Sequence, residues 1–221
     1  NKYEFMSKII IYFLPCISGD STIFKHIALC PELYELHYLS WKKPLALEES
    51  ISNYAMRMCE DIQHKNPVLI GVSFGGVLAQ EMSRFIDLKK VIIISSVKNT
   101  NELPSKFNML EFKKVYKIIP GRFKDIEKYF LSKFIKKHTS TFKELGFINK
   151  YNYLKWYLQN FSNWKRTEDM NPALIHIHGT KDKIFPLKNI SNCISIEDGT
   201  HLMIFKKAEI ITRHIRESLT F

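Results

Sequence analysis

Cysteine is scarce in this chain, and its few copies follow no recognisable pattern. The four cysteines lie at positions 16, 30, 59 and 193 of 221 residues, and no two of them form a C-x-x-C pair. This scatter argues against a zinc site and against a disulfide framework. A reduced, cytoplasmic setting is the simplest one that fits.

Histidine clusters and long apolar runs are missing as well. The eight histidines include no H-E-x-x-H motif, and although His176 and His178 share a strand face, no further ligand accompanies them. The sequence therefore predicts no metal site. The apolar run at residues 9–14 is far too short to span a membrane, and we expect neither a membrane span nor a signal peptide.

Acidic residues are in deficit: the chain has 22 of them against 33 Lys and Arg. Most of the excess lies in residues 99–170, which hold 15 basic and 7 acidic side chains. The basic residues are spread out and no nucleic-acid-binding motif accompanies them, so we interpret them as a solvated surface without a specific nucleic-acid partner. Attraction of anionic substrates and adhesion to nucleic acid or anionic membrane remain alternatives.

Short apolar segments alternate with amphipathic ones, a pattern typical of a parallel sheet with helical crossovers. The predicted strands are residues 8–14, 34–39, 68–70, 91–94, 173–177 and 193–196. The predicted helices are residues 22–29, 48–63, 77–85 and 202–219. We therefore expect a single α/β domain, a three-layer α/β/α sandwich with a mostly parallel sheet of about six strands.

The alternation stops between residues 98 and 170, a basic stretch that is dense in Phe, Tyr and Trp. We predict several helices there, at residues 105–118, 123–138 and 149–164, with the Pro120-Gly121 pair separating the first from the second.

The sequence G-V-S-F-G at residues 71–75 follows one predicted strand and opens a predicted helix. This strand-turn-helix context is the one that a nucleophile elbow requires. In such a turn the serine hydroxyl stands above the carboxyl end of the sheet, so Ser73 is the candidate nucleophile.

Two further polar residues follow predicted strands. Asp182 lies just after the strand at residues 173–177, and His201 follows the strand at residues 193–196. A serine hydroxyl needs a base to take its proton, and a carboxylate can orient a histidine for that task. Asp198 is a competitor for Asp182, although the Asp198-Gly199 pair is readily explained as a tight turn.

These three motifs, in the order Ser, Asp, His, resemble those of the α/β-hydrolase family over nearly the whole chain. The resemblance rests on G-x-S-x-G at Ser73, on H-G-T-K-D ending at Asp182, and on G-T-H ending at His201. It implies that Ser73 is the nucleophile, His201 the general base and later general acid, and Asp182 the orienting carboxylate. It also implies that residues 98–170 form a helical lid inserted into the hydrolase domain.

The resemblance further implies two backbone N–H donors for the negatively charged oxygen of the tetrahedral intermediate. One is Phe74, the residue after the nucleophile. The other comes from the loop after the first strand, where family members often carry His-Gly-x and this chain has P-C-I at residues 15–17. The alignment makes Ile17 the second donor, but Cys16 in place of glycine leaves open which amide faces the site.

The expected activity is that of a serine hydrolase cleaving a small carboxylic ester or thioester, with an apolar part, through an acyl-enzyme. No metal or organic cofactor is needed for this chemistry. Two alternatives remain open: a non-catalytic small-molecule receptor on the same fold, and another hydrolase-fold activity such as carbon–carbon bond hydrolysis.

Overall fold

A six-stranded, entirely parallel sheet forms the centre of the molecule. The computed structural model describes residues 7–17, 20–104, 151–166 and 173–220. Its strands are β1 (Ile9–Leu14), β2 (Tyr34–Tyr38), β3 (Val68–Val72), β4 (Lys90–Ile94), β5 (Leu174–Gly179) and β6 (Ile194–Ile196), and they lie in the order β2-β1-β3-β4-β5-β6. Every neighbouring pair is parallel.

Helices cover both faces of this sheet. The described helices are α1 (Ile51–Cys59), α2 (Phe74–Met82), α3 (Tyr151–Asn163), α4 (Met203–Lys206) and α5 (Ala208–Leu219). Side chains alternate between the two faces along each strand, so the sheet has two apolar cores. One core packs β-strand residues against α5, and the other packs them against α1, α2 and Trp156 of α3.

The two cores explain why the strands are so apolar. In β3 and β4 the side chains at 68–70 and 91–94 are almost completely buried, because both faces of these central strands are covered. Burying each Val, Leu or Ile contributes roughly 1.5–3 kcal/mol of transfer free energy. The predicted three-layer sandwich with about six parallel strands is confirmed.

Several predicted elements have different limits. The helix predicted at residues 22–29 is only a 3₁₀ turn, Ser21–Phe24, with Asp20 accepting a hydrogen bond from the backbone of Thr22. The last predicted helix is divided into α4 and α5, because the backbone at Lys207 leaves the helical region (φ −120°, ψ 21°). The helices predicted at residues 105–118 and 123–138 lie outside the described residues, and the one predicted at 149–164 is α3.

Candidate active site

Ser73 occupies a sharp turn between β3 and α2. Its φ of 55° and ψ of −118° place it outside the regions that L residues prefer, and such a conformation costs of order 1–3 kcal/mol. Two contacts hold the turn: the Ser73 N–H donates to the Ile94 carbonyl at 2.9 Å, and the Ser96 hydroxyl donates to the Ser73 carbonyl at 2.7 Å. The end of β4 thus keeps this strained residue in place.

Gly75 allows the turn to lie directly beside the end of β1. A Cβ atom at this position would lie 2.4 Å from the carbonyl oxygens of both Leu14 and Pro15, closer than any real Cβ contact. Gly71 is equally restricted, since its Cβ would lie 2.2 Å from the Gly75 carbonyl oxygen. The glycines on either side of the serine are therefore required by close backbone approach.

Three of the side chains predicted as site residues form a hydrogen-bonded series at the carboxyl ends of the strands. Nε2 of His201 lies 3.0 Å from Oγ of Ser73, and Nδ1 of His201 lies 2.9 Å from Oδ2 of Asp182. Oδ1 of Asp182 accepts the backbone N–H groups of Ile184 and Phe185 at 2.8 and 3.0 Å. Each ring nitrogen of His201 thus has one partner, and both oxygens of Asp182 are engaged.

The loops that carry Asp182 and His201 are joined through their backbones. The Lys181 N–H donates to the Gly199 carbonyl at 2.8 Å, and the Thr180 N–H donates to the Ile196 carbonyl at 3.0 Å. Gly179 and Gly199 come so close that a Cβ on Gly179 would lie 2.3 Å from the Gly199 carbonyl oxygen. This contact sets the separation of the two loops, and with it the spacing of the carboxylate and the imidazole.

Asp182 is buried yet remains an anion. Burial by itself raises the pKa of its carboxyl group, but the neighbouring His201, the hydrogen bond to it and the Phe185 N–H outweigh that effect and hold the pKa below its ordinary value. The carboxylate is therefore charged at neutral pH, as a group that stabilises an adjacent imidazolium must be.

A pair of buried histidines lies behind Asp182. Nε2 of His178 is 2.8 Å from the Phe185 carbonyl and 3.5 Å from Oδ2 of Asp182, and Nδ1 of His178 is 3.1 Å from Nε2 of His176. Because a carbonyl can only accept, His178 carries its proton on Nε2 and accepts from His176 through Nδ1. Burial lowers the pKa of both imidazoles, and their mutual proximity lowers that of His176 further.

Asp198, the competing acid, points to another partner. It lies at a left-handed turn position (φ 58°) and forms an exposed ion pair with Lys181. The acid that lies within hydrogen-bond distance of His201 is Asp182.

The two predicted oxyanion donors belong to neighbouring segments. Phe74 is the first residue of α2, so its N–H has no acceptor within the helix and lies at the positive end of the helix dipole. Ile17 is half-buried in the turn after β1, the segment that Gly75 approaches. The indole of Trp41 donates to the Cys16 carbonyl at 3.2 Å, which holds this turn by its backbone. The roles of Phe74 and Ile17 as donors stay predictions.

Aromatic rings surround Phe74 next to the candidate nucleophile. Tyr157, Trp156 and Phe161 of α3 have ring centroids 4.7, 6.0 and 6.1 Å from that of Phe74, all in edge-on orientations. Burial raises the pKa of the Tyr157 phenol. The aromatic residues of α3 thus pack on the first residue of α2.

Buried polar contacts anchor α3 and the residues after it. The Trp156 indole donates to the Glu49 carbonyl at 2.7 Å, and the Trp164 indole donates to Oε1 of Glu81 at 3.0 Å. Because Glu49 immediately precedes the Ser50 cap of α1 and Glu81 lies in α2, this segment is fixed to two helices that flank the elbow.

Sequence reasoning did not find Ser96 or the contact between His178 and Asp182. The H-x-H pattern at 176 and 178 was the only available signal, since alternate residues of a strand share a face. Nothing near Ser96 in the sequence indicates that its hydroxyl would reach from the end of β4 to the Ser73 carbonyl at the end of the neighbouring strand β3.

The chain resembles known proteins in structure and not in sequence. No protein-family model matches the chain, and no curated protein matches it in sequence. Solved structures do match. An esterase from Thermogutta terrifontis has a TM-score of 0.68 at 18% identity, over 96% of this chain and 90% of that one. This chain has the α/β-hydrolase fold.

Two other proteins with an α/β-hydrolase fold are similar over almost their full length. A lipase-esterase related protein from Clostridium acetobutylicum has a TM-score of 0.70 at 14% identity, over 97% of this chain and 96% of that one. MenH from S. aureus has a TM-score of 0.67 at 16% identity, over 99% and 96%. Among the described residues, no helix of this α/β-hydrolase fold is long and apolar enough to cross a membrane.

Proposed function

We propose that this protein is a serine hydrolase that cleaves a small carboxylic ester or thioester through an acyl-enzyme. The observation that carries the proposal is the hydrogen-bonded series from Ser73 through His201 to Asp182, with distances of 3.0 and 2.9 Å. The fold that the chain shares with an esterase and a lipase-esterase related protein supports it.

In this mechanism Ser73 attacks the carbonyl carbon while Nε2 of His201 takes its proton. Asp182 keeps the Nδ1 proton of His201 in place and stabilises the imidazolium that forms. The N–H groups of Phe74 and Ile17 stabilise the oxyanion. His201 then protonates the leaving alcohol or thiol, and a water molecule activated by the same histidine releases the acid. None of these steps needs a metal or an organic cofactor.

The proposal includes the lid and the setting of the enzyme. We propose that residues 98–170 include the lid, although much of this stretch lies outside the described residues. The aromatic packing of its described helix α3 against Phe74 supports this assignment. A reducing cytoplasmic setting is part of the proposal, because the four cysteines are scattered along the chain without paired spacing.

Fluorophosphonate labelling tests the nucleophile without knowledge of the substrate. We expect one adduct by intact mass on the wild type, none on Ser73→Ala, and one on Ser195→Ala, whose serine is exposed on β6. An adduct that persists in folded Ser73→Ala, or no adduct on folded wild type, would contradict the proposal. The second result would favour a receptor on the same fold.

A graded series of esters and thioesters then tests the substrate class. We expect hydrolysis that depends on acyl-chain length and is lost in Ser73→Ala. If Ser73 is labelled and no ester or thioester is hydrolysed, the activated serine serves another reaction, of which carbon–carbon bond hydrolysis is the named alternative.

A further inference from the structure

Three metal-ligating side chains meet at the outer edge of the sheet, away from the elements that carry the candidate active site. Glu35 and His37 alternate on the edge strand β2, so they lie on one face of the sheet. His64 comes from the connection between α1 and β3. Their ligand atoms all lie within 4.8 Å of one another, and within the described ranges no other group of three His, Cys, Asp or Glu residues comes this close.

Both histidines of this cluster lie close to the same oxygen of the Glu35 carboxylate. Nε2 of His37 lies 2.7 Å from Oε1 of Glu35, and Nε2 of His64 lies 3.6 Å from the same oxygen. Ligands about 2.0–2.2 Å from a tetrahedral ion are roughly 3.3–3.5 Å apart. The three side chains are 33–44% exposed, so small side-chain rotations are enough to bring their atoms to this spacing.

Tyr12 orients both histidines. Its ring stacks on His37 with centroids 4.7 Å apart and an interplanar angle of 19°, which fixes the plane of that imidazole. Its hydroxyl lies 2.7 Å from Nδ1 of His64 and accepts the Gln63 N–H at 3.2 Å. When this oxygen also accepts the His64 Nδ1 proton, Nε2 keeps its lone pair for a metal, as an outer-shell partner of a ligating histidine requires.

We propose that Glu35, His37 and His64 bind a divalent transition metal, with Zn²⁺ as the best match. Two imidazoles and one carboxylate suit this ion, and the fourth tetrahedral position is left to water. The ligands join the edge strand β2 to the connection before β3, so the metal acts as a clip between segments that are remote in sequence. This site is independent of the reaction at Ser73.

Zinc binding to the untagged protein, stripped of metal with a chelator, tests the proposal. Competition with a chromophoric zinc indicator should give one equivalent bound, and thermal unfolding should shift upward saturably with added Zn²⁺. His37→Gln and His64→Gln should each weaken binding by about 100-fold or more, and Tyr12→Phe by roughly 10-fold, as expected for an outer-shell partner. Circular dichroism checks that each variant is folded.

Two matched variants distinguish this site from adventitious binding. His26→Gln removes an exposed histidine outside the cluster, and Cys30→Ser removes an exposed thiol. Both should bind zinc as the wild type does. The proposal is overturned if the wild type binds no zinc, if His37→Gln and His64→Gln bind it unchanged, or if Cys30→Ser abolishes binding.

A spectroscopic measurement adds a readout that does not depend on stability. Co²⁺ in place of zinc should give the intense visible absorption of a four-coordinate site, lost in His37→Gln and kept in His26→Gln. A weak, six-coordinate type of spectrum that is the same in all variants would contradict the assignment. Fluorophosphonate labelling of Ser73 should be unaffected by the His37 and His64 substitutions, so this proposal and the hydrolase proposal fail separately.

Discussion

Two polar clusters along the described sheet are held in different ways. At the strand ends, Asp182 is buried and accepts two backbone N–H groups besides its bond to His201. At the sheet edge, the Glu35 carboxylate is nearly half exposed, and its described partners are the His37 and His64 side chains. Backbone hydrogen bonds thus hold the Asp182 cluster in place, whereas the Glu35 cluster is held by contacts between side chains.

This difference indicates what each cluster can do. Backbone donors and close glycine contacts hold Asp182 and His201 in one geometry, which reduces reorganisation during a reaction. Side chains that are partly exposed keep rotational freedom, so the edge cluster can adjust around an ion. We therefore expect substitutions at the strand ends to have much larger effects than substitutions at the edge.

The largest effect is expected for Asp182→Asn, compared with Asp198→Asn. Loss of the orienting carboxylate should lower kcat by about 10⁴-fold, because the histidine tautomer is no longer held. Asp198 is an exposed partner of Lys181, so its substitution should change kcat by less than about threefold, as for a surface ion pair. Steady-state kinetics on the best ester from the graded series measures both. A greater loss in Asp198→Asn would show that the acid is wrongly assigned.

The second-largest effect is expected at the close contact between Gly179 and Gly199, which joins the loops that carry Asp182 and His201. Gly179→Ala places a methyl group 2.3 Å from the Gly199 carbonyl oxygen, and we expect a loss of about 3 kcal/mol in the free energy of unfolding. Urea unfolding measures it. The control is Ser195→Ala, an exposed position on the adjacent strand β6, which should change stability by less than about 0.5 kcal/mol. Equal free energies of unfolding for the two variants would mean that the loops carrying Asp182 and His201 can move apart without destabilising the fold.

The third effect is the loss of stability in acid. Burial lowers the pKa of His176 and His178 in the folded protein, so the unfolded chain binds more protons as the pH drops through their ordinary value of 6.5. The free energy of unfolding should have its full value above pH 6.5 and should decrease as the pH falls below 6.5. The lowered pKa of Asp182 acts in the same direction at more acidic pH, near and below 3.8.

Urea unfolding at about pH 5 and pH 7.5 measures this dependence. His176→Gln removes one of the two buried imidazoles. It should reduce the difference in the free energy of unfolding between about pH 5 and pH 7.5, whereas His26→Gln should leave that difference unchanged. A stability that rises towards pH 5, or a difference that His176→Gln leaves unchanged, would contradict the assignment of neutral buried histidines.

The smallest effect is expected at the sheet edge in metal-free protein. Glu35→Gln removes the carboxylate that contacts His37 and His64, and because these groups are partly exposed we expect a loss of about 0–1 kcal/mol in the free energy of unfolding. Thermal unfolding in the presence of a chelator measures it. A loss comparable to that of Gly179→Ala would mean that the edge is held as rigidly as the strand ends.

Much of the fold could be predicted because local patterns determine it. Apolar runs of strand length alternated with amphipathic segments, and a parallel sheet with helices on both faces is the arrangement that buries both. The limits of short elements were less predictable. The 3₁₀ turn Ser21–Phe24 replaces a longer predicted helix, and the break at Lys207 has no Gly or Pro to indicate it.

The candidate site residues could be named from the sequence because the motifs that carry Ser73, Asp182 and His201 resemble those of the α/β-hydrolase family. Each of the three also follows a strand, and parallel strands end at one edge of the sheet. Their distances could not be derived in this way. Nor could the contact of His178 with Asp182, the hydroxyl of Ser96 at the elbow, or the approach of Gly179 to Gly199, since each depends on the register of neighbouring strands.

By itself the sequence determined the order of the elements, the elbow at Ser73 and the absence of any local metal-binding motif. Only the tertiary structure decided that Asp182 and not Asp198 meets His201, and that Glu35, His37 and His64 come together. The physical reason is the same in both cases. A local motif is defined by spacing along the chain, whereas these contacts join segments that only strand pairing and loop geometry bring within a few ångströms.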